Sequence, residues 1–163
     1  VGIAKATPIG EIAESKGNST IKRDKTAYTG EVGLGLEMND NVVTGKGRLR
    51  LDFVDDTRVD VTENSRMTID EFIYDPESKI GKIVSNIKIG TVRIITGEIS
   101  KKNPDNLEVN IPTGSIGARG TEFVVVTTAD QKSTIVYMII SISIYRHSNI
   151  IYLPFSWIKI NKN

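Results

Sequence analysis

Apolar and polar residues alternate with a period of two through much of this chain. In Arg48–Phe53 the two leucines and the phenylalanine fall on one face, with Arg48, Arg50 and Asp52 on the other. Side chains of a strand point alternately to opposite faces, so the pattern predicts a strand with one buried side. Asp55-Asp56 is a turn signal, and Thr57–Val61 alternates again. The two runs predict a hairpin with Leu49, Leu51, Phe53, Val59 and Val61 buried. Arg48, Arg50, Arg58 and Asp60 then face solvent, with the arginines of the first strand near Asp60 and Arg58. Thr62–Ser65 turns, and Arg66–Asp70 alternates a third time.

Further strands are predicted at Ile83–Ile89, Thr91–Thr96, Leu107–Ile111 and Phe123–Thr127. Asp75-Pro76, Gly90, Gly97 and Asn103–Asn106 separate them. Ile12–Ser15 and Thr20–Arg23 flank Lys16–Asn18 and read as another hairpin. The glycine-rich segment 29–47 is the least regular. No long window before residue 131 carries a helical stripe. Many short strands with frequent turns predict a single all-β domain over residues 1–131. A sandwich, a barrel and a short β-solenoid all suit strands that recur roughly every ten residues.

The last segment differs. Residues 133–163 hold nine isoleucines and the only tryptophan and histidine, with three basic residues and no acidic one. Thr134–Tyr145 is an apolar run too short for a membrane span, which needs about 20 residues. Residues 132–163 are therefore an atypical apolar tail. Either Thr134–Tyr145 and Ile150–Ile160 form a terminal hairpin joined at Arg146–Asn149, or the segment is non-native, the product of a shifted reading frame.

Composition bounds the rest. The chain has 163 residues, 39% hydrophobic and 25% charged, with a formal net charge of +1. Those are the values of an ordinary globule, without the concentrated basic face that nucleic acid requires. There is no cysteine, which excludes disulfides, thiolate metal sites and thiol nucleophiles. Val1–Pro8 has neither a basic start nor a long apolar core, so an export signal would lie outside this sequence.

The densest feature is Thr113–Val125, with glycines at Gly114, Gly117 and Gly120 and a lone arginine at Arg119. Such glycines mark backbone at positive φ or in close approach to another segment. A phosphate loop would need a helix to follow, and here a strand follows. The reading is structural, with Arg119 lying against the domain and donating to carbonyls, to Glu98 or to Glu122.

This stretch resembles the closing signature of the FecR domain family, on Gly114, Ile116, Gly117, Arg119, Gly120, Thr121 and Phe123. The resemblance extends to Gly47–Ser65, where Asp56 or Thr57 stands at the usual turn glycine and Ser65 closes an Asn-Ser pair. Met67–Pro76 and Gly97–Pro104 are also similar to the single-domain, exported type. The resemblance implies a twisted, β-helix-like stack, with a β-sandwich as the alternative. It implies a periplasmic or cell-surface module without enzymatic activity or cofactor. That module would be related to the part of iron–siderophore regulators that meets an outer-membrane receptor or another envelope protein. A structural, surface or virion assembly protein is the alternative, and a carbohydrate-active β protein a third.

Catalytic chemistry finds little support. Asp52, Asp55, Asp56 and Asp60, and Asp70, Glu71, Asp75 and Glu77, read as solvated strand faces and turns, since neither set has the spacing of a calcium loop. His147 is the only histidine, and no G-x-S-x-G elbow occurs. Tyr152, Phe155 and Trp157 read as packing residues rather than a sugar platform. No catalytic, cofactor or metal residue is assigned.

Overall fold

The computed structural model describes residues 7–139, 145–147, 150–153 and 156–163. The described residues form an all-β fold of fourteen hydrogen-bonded strands, and no described helix is long and apolar enough to cross a membrane. Its body is an antiparallel meander. Strand β1 (Gly10–Arg23) pairs on one edge with β2 (Thr26–Thr29) and β3 (Gly35–Leu36), and on the other with β4 (Asn41–Phe53). The far edge of β4 pairs with β5 (Arg58–Val61) and β6 (Arg66–Asp75), which together act as one long interrupted strand. Both then pair with β7 (Ile80–Ile95).

At β7 the sheet forks. One half of its free edge takes β8 (Leu107–Ile111) in parallel, followed by β9 (Gly114–Arg119) and β14 (Ser156–Lys162). Beyond β14 lie β13 (Ile150–Leu153) and β12 (Tyr145–His147). The other half takes β10 (Glu122–Thr127), followed by β11 (Thr134–Ile139). A five-residue helix, α1 (Glu98–Lys102), connects β7 towards β8.

The expected register of Arg48–Val61 is present. Leu49 faces Val61 and Leu51 faces Val59, and all five predicted apolar residues are buried. The cross-strand ion pairs are Arg50–Asp60 and Arg58–Asp52; Arg48 faces solvent opposite Lys16 instead. One apolar cluster forms the core, running from Ile12 and Leu51 through Met67, Ile87 and Val92 to Ile116 and Phe123. Phe53 and Phe72 stack within it, with ring centroids 5.2 Å apart.

Two predicted breaks are not turns. Ile12–Ser15 and Thr20–Arg23 belong to the single strand β1, whose own extra residue is Ala13, and Gly17 at φ 73 stands opposite a bulge in β4. Likewise Ile83–Ile89 and Thr91–Thr96 lie on one continuous backbone, with β7 passing through Gly90 at φ 94. These sites align across the sheet. Gly17 faces Gly47, Asn64 N–H donates to Gly45 O at 2.9 Å, and Gly90 lies against Ser65. An extra residue in a strand bends it and moves later side chains to the other face. In β4 the buried positions are accordingly Val42 and Thr44 before the line, then Leu49, Leu51 and Phe53 after it. In β7 they are Ile83, Ser85 and Ile87, then Val92 and Ile94. A crease therefore crosses β1, β4, the β5–β6 corner and β7.

The irregular segment 29–47 contains no helix. It is tied down by Arg23, whose Nε and Nη2 grip both oxygens of the fully buried Asp40 at 2.7 and 2.8 Å. Nη1 donates to Glu37 at 2.6 Å, and the guanidinium lies 5.2 Å from the Tyr28 ring centre. A buried carboxylate is tolerable when paired in this bidentate way. In the tail β12 pairs antiparallel with β13, as the expected hairpin has it, while β11 adds to β10 and β14 adds to β9. Residues 140–144, 148–149 and 154–155, on which part of that expectation fell, lie outside the described residues.

Candidate functional site

The residues of the glycine-rich signature occupy β9, a turn and the start of β10. Ile116, Ala118 and Phe123 point into the core, and Gly114 is buried between Ile111 on β8 and Lys162 on β14. Gly117 is half-buried on the opposite face. Gly120, at φ 54, reverses the chain, a conformation that costs an L-residue about 1–2 kcal/mol. Thr121 is then pinned to the end of β7: its N–H donates to Thr96 Oγ1 at 2.9 Å, and its carbonyl accepts from Thr96 N–H at 3.1 Å. Arg119 does not lie against the domain. It stands exposed at the end of β9, while Glu122 binds Arg93 and Glu98 binds Lys79.

The β4–β5 turn meets the same region. Asp56 adopts φ 66 on the exposed side, filling the glycine-like position. Its neighbour Asp55 is fully buried, contrary to the solvated reading. The Asp55 carboxylate accepts from Thr57 Oγ1 at 2.8 Å, Thr57 N–H at 3.1 Å and Ile99 N–H at 3.3 Å. Its main-chain oxygen accepts from Glu98 N–H at 2.7 Å. Gly97 packs on the Asp55–Thr57 backbone, leaving no room for a Cβ. Burial pushes the Asp55 carboxyl above its ordinary value, with the Thr57 and Ile99 hydrogen bonds offsetting part of that. Ser100 Oγ donates to Ala118 O and closes the knot.

Ser65 has a comparable role at the crease. Its N–H donates to Thr44 Oγ1 at 2.9 Å on β4, and its Oγ accepts from Thr91 N–H at 3.0 Å on β7. Of the motif residues, Thr121 and Ser65 thus sit in buried polar knots, Ile116 and Phe123 in the core, and Asp56, Arg119 and Gly120 on the exposed side.

The outer face is arranged differently. Paired residues of neighbouring strands share a face, so the register places Glu14, Arg50, Asp60 and Arg93 in one row across β1, β4, β5 and β7, with Glu122 on β10 diagonal to Arg93 on the same face. They form an alternating chain of ion pairs. Arg50 meets Glu14 and Asp60, the latter at 2.8 Å, and Arg93 meets Asp60 at 3.2 Å and Glu122. Each exposed pair contributes roughly 0–1 kcal/mol, so the row orders the surface more than it stabilises the fold. The acidic cluster Asp52–Asp60 therefore serves this row, the Arg58 pair and the Asp55 knot.

Beyond Glu122 the face turns apolar. Val124 and Val126 on β10 adjoin Ile135, Tyr137 and Ile139 on β11, which are 51%, 55% and 50% exposed. Among the described residues β11 pairs only with β10, and the strand holds no charge and no proline. Sheet edges in soluble proteins are usually protected by charge, proline or shortness, and an unprotected one is a template for another strand. Sequence reasoning found the apolar run but not its edge position; the row of charges was visible only as scattered polar alternation. Among the described residues no three metal-ligating side chains converge.

The family model described as FecR protein matches residues 40–138, from the start of β4 through nearly all of β11. No curated protein and no solved structure matches the chain.

Proposed function

Because the chain belongs to the FecR protein family, matched over more than half of its length, we propose that it is a non-enzymatic recognition module of the bacterial envelope. In this reading it is related to the periplasmic part of the regulators that sense iron–siderophore uptake, and its partner is an outer-membrane receptor or another envelope regulator. The observation that carries the proposal is the β11 edge. Among the described residues its outer main-chain groups pair with no further strand, beside Ile135, Tyr137 and Ile139, which suits an extended protein segment that adds as a further strand. Main-chain pairing supplies affinity in this mode, and pockets for alternate side chains supply specificity.

A photo-crosslinking residue at position 137, used in intact envelopes, tests this. Crosslinks to an outer-membrane receptor or regulator that Ile135→Lys abolishes would support it. Turnover on a glycan panel would refute the non-enzymatic reading. The same bare edge also favours a second reading, assembly of identical chains through β11. Crosslinks to the chain itself, with a mass that grows with concentration in sedimentation equilibrium, would establish that reading in place of the first.

A further inference from the structure

The crease carries a second site beside the charge row, where Lys16 faces Arg48 two residues along from Glu14 and Arg50. Lys16, Lys46 and Arg48 line a cleft of about 410 Å³ with Gly17, Gly47, Thr62 and Glu63. The backbone builds it. Gly17 faces Gly47 in register, and the next matched pair is Ser19 with Thr44, so Gly45 and Lys46 bulge out of β4 opposite Asn18. A Cβ on Gly47 would lie 2.6 Å from Asn18 N and from Lys16 O. The two strands thus approach closely while their cations project on either side.

The charges here are arranged unlike those beside them. Lys16 and Arg48 are direct cross-strand partners, and like charges placed so destabilise a sheet. Elsewhere on this face Arg50, Arg58 and Arg93 each hold a carboxylate. No carboxylate of the described residues comes within ion-pairing distance of Lys16, Lys46 or Arg48, Glu63 included. Three cations against Glu63 leave the cleft with two uncompensated positive charges. Repulsion built into a rigid bulge is a local conflict of the kind found at binding sites.

We propose that this cleft binds a phosphomonoester group, free or carried on a lipid headgroup. Such a group brings close to two negative charges and three acceptor oxygens near neutral pH. Arg48 offers a planar fork and the lysines offer point charges, a pairing suited to oxygens on one phosphorus. The two surplus positive charges attract a doubly charged anion more strongly than a singly charged one, a preference that Glu63 reduces without reversing.

The test uses the full chain. Inorganic phosphate is titrated while the amide resonances of Gly17, Gly45 and Gly47 are followed. Phosphatidic acid vesicles are compared with phosphatidylcholine vesicles by co-sedimentation. Saturable shifts at these amides, weakened about tenfold or more by Arg48→Gln and by Lys46→Gln, support a site for the free ion. Co-sedimentation with phosphatidic acid alone, lost in the same variants, supports the headgroup. Both variants should melt at or above the parent temperature without ligand, because each removes repulsion. Lys46 is exposed on the bulge, so its substitution keeps the test valid should Arg48→Gln perturb the fold. Absence of both binding signals, or signals unchanged in the variants, would overturn the proposal.

Discussion

Replacing Asp55 with alanine should be among the most damaging single changes to this fold. The carboxylate satisfies two buried main-chain N–H groups, those of Thr57 and Ile99, and the Thr57 hydroxyl. The hydroxyl can turn to another acceptor, but the two N–H groups cannot move without breaking the turn or the first turn of α1. Leaving a buried donor unpaired costs about 1–3 kcal/mol, so the loss of both should be about 2–6 kcal/mol. That is a large part of the 5–15 kcal/mol typical of a domain. Urea melts followed by circular dichroism would measure it, with exposed Asp56→Ala as the neighbour control. The sign of the pH effect follows from the raised carboxyl. Its stabilising contribution is complete below the ordinary value of 3.8 and declines as pH rises through the folded value. The difference between parent and Asp55→Asn should accordingly shrink from acidic towards neutral pH. A loss below about 1 kcal/mol for Asp55→Ala, or one equal to that of Asp56→Ala, would refute the argument.

Leu51→Ala should cost about 2–5 kcal/mol in the same melts, and Arg50→Ala less than about 1, since the first empties a fully buried site and the second breaks surface ion pairs. Gly90→Ala should lower the melting temperature clearly, because the residue sits at φ 94 and a Cβ would lie 2.6 Å from Ser65 Cα; an unchanged temperature would show that the crease relaxes freely. A chain ended after Ile139 should unfold at higher urea than one ended after Gln131, since Val136 and Met138 on β11 pack on the core. Equal midpoints would make β11 an ornament of the sheet.

What could be read from the residues follows the range of the forces involved. Alternation located β5, β8 and β10 and the register of Leu49 with Val61, because one buried face of a short strand is a local signal. It misread β1 and β7 because the extra residues Ala13 and Lys88 flip the alternation, and a flip next to a positive-φ glycine (Gly17, Gly90) looks in sequence like a turn between two strands. Asp55 and Asp56 are adjacent acids with opposite fates, decided by the docking of α1 some forty residues later, as in the Ile99 N–H bond. Arg119 was expected to pair with Glu98 or Glu122, but those partners were already held by Lys79 and Arg93. The row from Glu14 to Glu122 draws one residue from each of five strands, so it exists only once the meander has formed.

The crease also sets rules for how this chain can change its length. Val42 and Thr44 are buried before it in β4, and Leu49 and Leu51 after it; β7 makes the same exchange between Ile87 and Val92, and β1 makes it earlier, at Ala13. Deleting one residue at the exchange in any of these strands would restore unbroken alternation there. Half of that strand would then present its apolar side to solvent and its charges to the core. The loss would not stay local, because Gly17 meets Gly47, Ser65 bonds Thr44 and Gly90 lies against Ser65. Single-residue deletions should therefore be rejected at these lines, whereas the connection from Asp24 to Lys25 between β1 and β2 lies outside them. A library of one-residue deletions selected for solubility would trace the crease as a line of gaps, without a structure in hand.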